Sequence, residues 1–341
     1  MPRTRTRSRA STPLAFGLGT LLVTLVLVGV AIGSVPMPVD RVLAVFGDRL
    51  GLGAHASAIE TKIVWDLRLP RVLLAALVGA ALALAGAALQ GLVRNPLADP
   101  YILGVTSGAS LGAVAVMTAG VGVLAAVSVP VAAFACAVAS LALVYGFAQR
   151  SGSFTDTRIV LAGVAIGYVA MAATSFLQLQ ADPGELRGIL FWTMGSVAAA
   201  RWDTLVVPAV VVAAVGLWLV ASARGLNALA LGDDAQAVGL DLRRFRLGLL
   251  VAAAALTAVA VSVAGGVGFV GIIVPHAVRL VVGGDHRRLL PLSALAGAVF
   301  LVAVDVVART IDAPNEYPLT IFTAAVGGPF FLWLMRRGQR R

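Results

Sequence analysis

Long apolar runs separated by short polar breaks pattern this chain. Ten runs emerge, at residues 14–35, 72–93, 101–119, 121–148, 158–179, 204–222, 247–264, 267–283, 290–308 and 319–335. Most approach the ~20 residues that an α-helix needs to cross the ~30 Å hydrocarbon core of a bilayer. The pattern predicts an all-α integral membrane protein of about ten transmembrane helices. The eighth run is short and contains Gly268, Gly271 and Pro275. It is expected to tilt, or to break where neighbours satisfy its backbone. The first run follows Arg3, Arg5, Arg7 and Arg9, as in a signal peptide. No small-x-small cleavage site comes after it, and it reads as a retained helix.

Composition agrees with the pattern. The chain is 60% hydrophobic and 12% charged, with a mean hydropathy of +0.96. Soluble domains carry about 25% charged residues, so too little polar surface remains here to cover a particle in water. Aromatics are only 6% and Gly numbers 37. Small side chains let helix backbones approach closely in lipid. The single cysteine, Cys136, excludes an intramolecular disulfide and reads as a small core residue.

Charge then orients the bundle. An even number of spans puts both termini on one side. With that side inside, the inner loops collect 18 of the 26 Lys+Arg and the outer loops 8. The carboxylates divide the other way, 6 inside and 10 outside, of 16. This is the positive-inside bias, and it makes the +10 net charge a topology signal, not a nucleic-acid footprint. Trp192 and Trp202 fall near outer span ends, as interfacial aromatics do. The resulting plan is a basic cytoplasmic N-terminus (1–13), one transmembrane domain (14–335) and a basic cytoplasmic tail (336–341). The domain includes a long outer loop at 36–71, an outer link at 182–203 with a short helix near Phe191–Ala200, and an inner loop at 223–246.

Two stretches stand out. Span two ends at Arg94, where Pro96 and Pro100 stiffen an inner turn. Gly104, Gly108 and Gly112 then recur at helical spacing, a face for close helix contact or simply a packed hairpin. In the inner loop, Asp233 and Asp234 suit a helix start and Gly239 its end. This short surface helix reads as an amphipathic connector or as a docking helix for a soluble partner.

Several chemistries are excluded. A P-loop needs Gly-x4-Gly-Lys-[Ser/Thr], and the only lysine is Lys62, on the outer side. His55, His276 and His286 form no ligand pair at helical spacing. His276, after Pro275, reads as a structural hydrogen-bonder. Asp305 is the main intramembrane carboxylate, and Arg309 one turn on makes an i,i+4 pair the simplest reading.

The ordered set of motifs resembles the FecCD family, the iron-siderophore, haem and vitamin B12 permeases of ABC importers. It comprises Leu67-Arg-Leu-Pro-Arg71, Asn95-Pro-Leu-Ala-Asp-Pro100, Leu161-Ala-Gly-Val-Ala165, Phe191-Trp-Thr-Met-Gly195, the Gly232–Gly239 loop, Gly268-Phe-Val-Gly-Ile-Ile-Val-Pro-His-Ala-Val-Arg279, Asp285-His-Arg-Arg-Leu-Leu-Pro291 and Gly327-Gly-Pro-Phe-Phe331. One departure is Thr320, where the family usually has Gly after Glu316-Tyr-Pro-Leu.

The resemblance implies a vitamin B12 importer-like bundle in the bacterial cytoplasmic membrane. It implies a second permease subunit, identical or not, two ABC ATPase subunits inside and an extracytoplasmic substrate-binding protein outside. The chain would bind no cofactor of its own, ATP and Mg belonging to the partner ATPase. Leu231, Gly232, Asp233, Asp234, Ala235, Ala237, Val238 and Gly239 match the family's ATPase-coupling helices. Arg68, Arg71 and Arg309 match outer arginines that dock the binding protein. Asn95, Leu97, Thr155 and Asp156 match positions near the inner closure of the pathway. The expected cargo is a metal chelate, ferric siderophore first as the commonest in the family, with vitamin B12 and haem as alternatives. The rival readings are a secondary transporter working alone on an ion gradient and a structural membrane scaffold.

Overall fold

With no water in the bilayer core, backbone amides and carbonyls must be satisfied within each segment, and helices result. The computed structural model describes residues 11–338 apart from 34, 36, 53–54, 120–126, 150–155 and 230–240. The side chains of 102, 148–149, 156–157 and 337–338 are also outside it. Among the described residues there is no β-sheet, only an isolated bridge between Asp312 and Asn315.

The helices are α1 (Ser11–Ala31), α2 (Val39–Arg49), α3 (Ala58–Val93), α4 (Val105–Thr118), α5 (Val129–Gln149), α6 (Asp156–Gln180) and α7 (Pro183–Thr193). They continue as α8 (Trp202–Ala221), α9 (Ala223–Leu229), α10 (Leu242–Ala264), α11 (Val270–Val282), α12 (His286–Ala308) and α13 (Leu319–Gly338). Eight of these are long and apolar enough to cross a membrane, and α4 and α11 are shorter apolar helices. Each of the ten expected spans therefore meets a helix.

Helix α3 is the centre of the bundle, buried along most of its length. It meets α12 and α11 backbone to backbone. A Cβ at Gly79 would lie 2.1 Å from the Gly297 carbonyl oxygen, and one at Gly86 would lie 1.9 Å from that of Gly271. Only glycine permits both crossings. The glycine face of α4 does the same on α5, where Gly112 faces the Ala132 carbonyl and Gly108 faces Ser140 and the Cys136 carbonyl.

Several boundaries differ from expectation, four of them for a clear physical reason. Span two begins at Ala58, not 72, because α3 extends outward through a π-helical turn at Lys62–Arg68. The charges on that turn hide it from hydropathy. A capping box on Ser57 and Glu60 starts it. Span three begins at Val105, not 101. Pro100–Leu103 is a 3₁₀ turn ending at Gly104 in the left-handed region (φ 70°). Helix α4 therefore starts beside Gly163 of α6, within the bundle. Its 14 residues rise only ~21 Å. The short outer helix is Pro183–Thr193, not 191–200, because Pro183 occupies its first turn and Gly195 (φ 84°) ends it. Helix α11 starts only at Val270, and Gly265–Gly268 form a non-helical approach.

Candidate functional site

At the outer end, four charged side chains meet. Asp305 is fully buried on α12. Its Oδ1 lies 2.9 Å from both Nε and Nη2 of Arg71, and its Oδ2 lies 3.5 Å from Arg309 Nε, one helical turn away. Arg71 Nη1 also reaches Glu316, at 2.8 and 3.0 Å. The expected Asp305–Arg309 pair is thus part of a larger network, and Glu316 was the residue that sequence reasoning missed. Its signal was present, since the charge plan left 10 carboxylates outside.

Arg68 and Arg309 are not presented to water as rim charges. Each is under a tenth exposed. Arg68 Nη1 donates to the carbonyls of Val30 (3.0 Å) and Ala31 (2.8 Å), and Nη2 donates to that of Val35. Arg309 Nη2 donates to the Gly29 carbonyl at 2.6 Å. These carbonyls close the outer end of α1, where the last turn has no helical donors and carries the negative end of the dipole. Two guanidinium groups cap it. Arg71 is nearly as buried, its side chain 12% exposed, and Glu316 beside it, at 39%, is the member of the network open to the outside.

Between α4, α6 and α7 lies an open groove of about 260 Å³. Its walls carry Thr106, Ser107 and Ser110 from α4, Thr174, Ser175 and Gln178 from α6, and Thr193 from α7. These seven hydrogen-bonding side chains line the groove together with Met171 of α6. The loop above it is knitted together by backbone bonds. Ser196 N donates to Ala264 O at 2.8 Å, and Leu319 N to Gly195 O at 2.9 Å. Val267 N donates to the Tyr101 hydroxyl at 2.7 Å. Thr320, the departure from the family pattern, donates its hydroxyl to Gly266 O at 2.7 Å. A glycine there could not supply that donor.

At the inner end, Arg94 (φ 53°) turns the chain out of α3. Asn95 Oδ1 accepts from Leu97 N at 2.9 Å, an Asx turn, and both residues are exposed. Thr155 and the Asp156 side chain lie outside the described residues, as do Leu231, Gly232, Asp233, Asp234, Ala235, Ala237, Val238 and Gly239. Asp99 caps the Pro100 turn through Tyr101 N at 3.1 Å, and burial pushes its carboxyl up to about 6. His276 is not the hydrogen-bonder expected. Its ring packs edge-on against Phe330 at 6.3 Å, and its Nδ1 is buried without a partner among the described residues.

Eight helices long and apolar enough to cross a membrane pack into this bundle, and the class they define is a multi-pass membrane protein. The chain belongs to the FecCD transport family, whose model matches residues 21–337. It is 44% identical over 92% of its length to 83% of the cobalamin import system permease protein BtuC of Halobacterium salinarum. It is 43% identical to the hemin transport system permease protein HmuU of Yersinia pestis, covering 82% of this chain and 84% of that one. A solved structure described as a metal-chelate type ABC transporter in an inward-facing conformation superposes with a TM-score of 0.82. Identity to it is 32%, over 94% of this chain and 98% of that one. The chain is the permease subunit of an ABC importer in the cytoplasmic membrane.

Proposed function

We propose that this chain passes a cobalt or iron chelate inward along the hydroxyl groove while a separate ATPase chain hydrolyses ATP. The groove is the observation that carries this reading. Seven of its side chains are neutral donors and acceptors, and the eighth is Met171, a lining suited to the amide or hydroxamate periphery of a chelate. A broad track of weak, exchangeable hydrogen bonds lets cargo enter and leave.

The sequence expectation put ferric siderophore first on family frequency alone. The relatives named above carry cobalamin and hemin in their names, which moves cobalamin and haem level with it. A neutral groove favours cobalamin, whose rim is amide, over haem, whose propionates call for a cation. The test is uptake by the complete complex offered cyanocobalamin, hemin and a ferric hydroxamate separately. Cyanocobalamin is expected to enter fastest, and preference for either of the others overturns the cargo assignment.

The partners proposed are a second permease subunit, two ATPase subunits and an outer binding protein. The large apolar side chains that α6 exposes, among them Tyr168, Val169, Phe176 and Leu179, flank the groove and suit a second subunit closing it. The 231–239 segment is assigned to ATPase coupling, and Asn95, Leu97, Thr155 and Asp156 to the inner closure. Binding-protein docking is assigned to the outer end, with Arg71 and Glu316 as its contact charges. Arg68 and Arg309 hold the helix behind them.

A further inference from the structure

Helices α8 and α10 run antiparallel, and a groove of about 520 Å³ opens between them. Ala214, Gly248, Ala252 and Ala255 leave it recessed because their side chains are small. Trp218 and Val251 flank it, both exposed. Neighbours hold the Trp218 ring in place. A Cβ on Gly248 would lie 3.1 Å from its Cη2, and the Phe245 ring packs against it with centroids 6.5 Å apart. The one charged lining residue is Arg244, at the inner end.

Length and charge define what fits. From Arg244 to Ala255 the groove follows eleven residues of α10, about 17 Å of helix. That is about half of the ~30 Å hydrocarbon core, the depth of one leaflet. The mouth is basic. Arg243 and Arg244 are exposed on α10, and Arg224 is exposed on α9, whose Gly225 packs under Phe245. Among the described residues of 218–248 the one carboxylate is Asp241. It caps α10 through Arg244 N at 3.1 Å and lies 3.2 Å from Arg244 Nε. Both side chains of that pair are exposed, so the pair is weak. A phosphate offers the guanidinium a stronger, bidentate partner.

We propose that the α8–α10 groove is a site for an anionic phospholipid of the inner leaflet. One acyl chain lies between Ala214 and Ala255, and the phosphate sits at Arg244 with Arg243 beside it. A zwitterionic lipid fits the same groove, but its own ammonium offsets the attraction. Each arginine near an anionic headgroup contributes about fivefold in affinity, so the site discriminates by charge.

The test uses the purified permease–ATPase complex in phosphatidylcholine liposomes. These carry either dibrominated phosphatidylglycerol or dibrominated phosphatidylcholine, whose bromines quench a tryptophan in contact. The chain has five tryptophans, so the signal of the W218F complex is subtracted to isolate Trp218. Half-quenching is expected at a mole fraction about threefold or more lower for the brominated phosphatidylglycerol. In R243Q/R244Q that ratio should fall to about one, with Trp218 still quenched by both lipids, while R243K/R244K should keep most of the preference. Raised salt should move the parent's ratio toward one without any change at the arginines. A ratio of about one in the parent at low salt overturns the proposal. So does a preference that survives R243Q/R244Q or raised salt, which places the headgroup elsewhere. A Trp218 signal that neither lipid quenches also overturns it, because protein then covers the groove.

Discussion

Gln90 Nε2 donates to the carbonyl of Gly271 at 3.2 Å, and that carbonyl is the one Pro275, four residues on, leaves without a helical donor. The same NH2 reaches the Ile272 carbonyl at 3.2 Å. A proline inside a helix is tolerated in lipid where neighbours satisfy the carbonyl it frees. Here the neighbour is the central helix α3, one turn below its backbone crossing with α11.

Replacing Gln90 with Leu keeps the volume and removes the donor. The buried Gly271 carbonyl then goes unpaired, at a cost of about 1–3 kcal/mol. Thermal unfolding in detergent should show the loss, while Gln90→Glu, which also lacks the donor in its ionised form, should not restore it. An unchanged midpoint for Gln90→Leu would show that the contact does not support the helix at Pro275.

Gly86→Ala should lower the yield of folded protein sharply, since its Cβ has no room against Gly271 and overpacking costs about 1–3 kcal/mol or more. Gly17→Ala, on a part of α1 with nothing within 4 Å, serves as control and should behave as the parent. Monodispersity on size exclusion reads both.

Removing one member of the outer network should cost more than removing a surface ion pair. Asp305→Ala leaves two buried guanidinium groups facing each other, an effect of about 3–5 kcal/mol. Arg68→Ala and Arg309→Ala should loosen α1, seen as faster proteolysis near its outer end. Arg71→Glu should weaken binding-protein docking most at low salt. If Arg68→Ala weakens docking and leaves α1 as resistant as before, its capping role is refuted.

Asp99 gives the stability a pH dependence. Burial raises its carboxyl from 3.8 to about 6, so the folded state binds the proton more tightly than the unfolded one. Its contribution is therefore most favourable at low pH and falls as pH rises through about 4 to 6. Asp99→Asn keeps the oxygen that caps Tyr101 N and removes the titration. Melting temperatures from pH 4.5 to 7.5 should decline less in the variant, and parallel curves would contradict the assignment.

Much of the fold was legible because lipid imposes one rule on every span. Ten apolar runs gave ten helices, and the glycine repeat from Gly104 to Gly112 gave a real helix contact. Residues whose role depends on a distant partner were not legible. Arg68 and Arg309 sit at the outer end as charge counting placed them, but no local pattern says that α1's carbonyls lie beside them. Glu316 acts through a residue 245 positions away, beyond the reach of periodicity. The hydroxyl groove gathers residues from three helices, each unremarkable in its own run.

The central claim is that this chain moves cargo only when a separate chain hydrolyses ATP. The direct measurement is uptake of a radiolabelled chelate into proteoliposomes, first with the permease alone under an imposed ion gradient, then with ATPase subunits, binding protein and ATP. The account predicts no accumulation in the first case and ATP-dependent accumulation in the second. Gradient-driven uptake by the permease alone would contradict it.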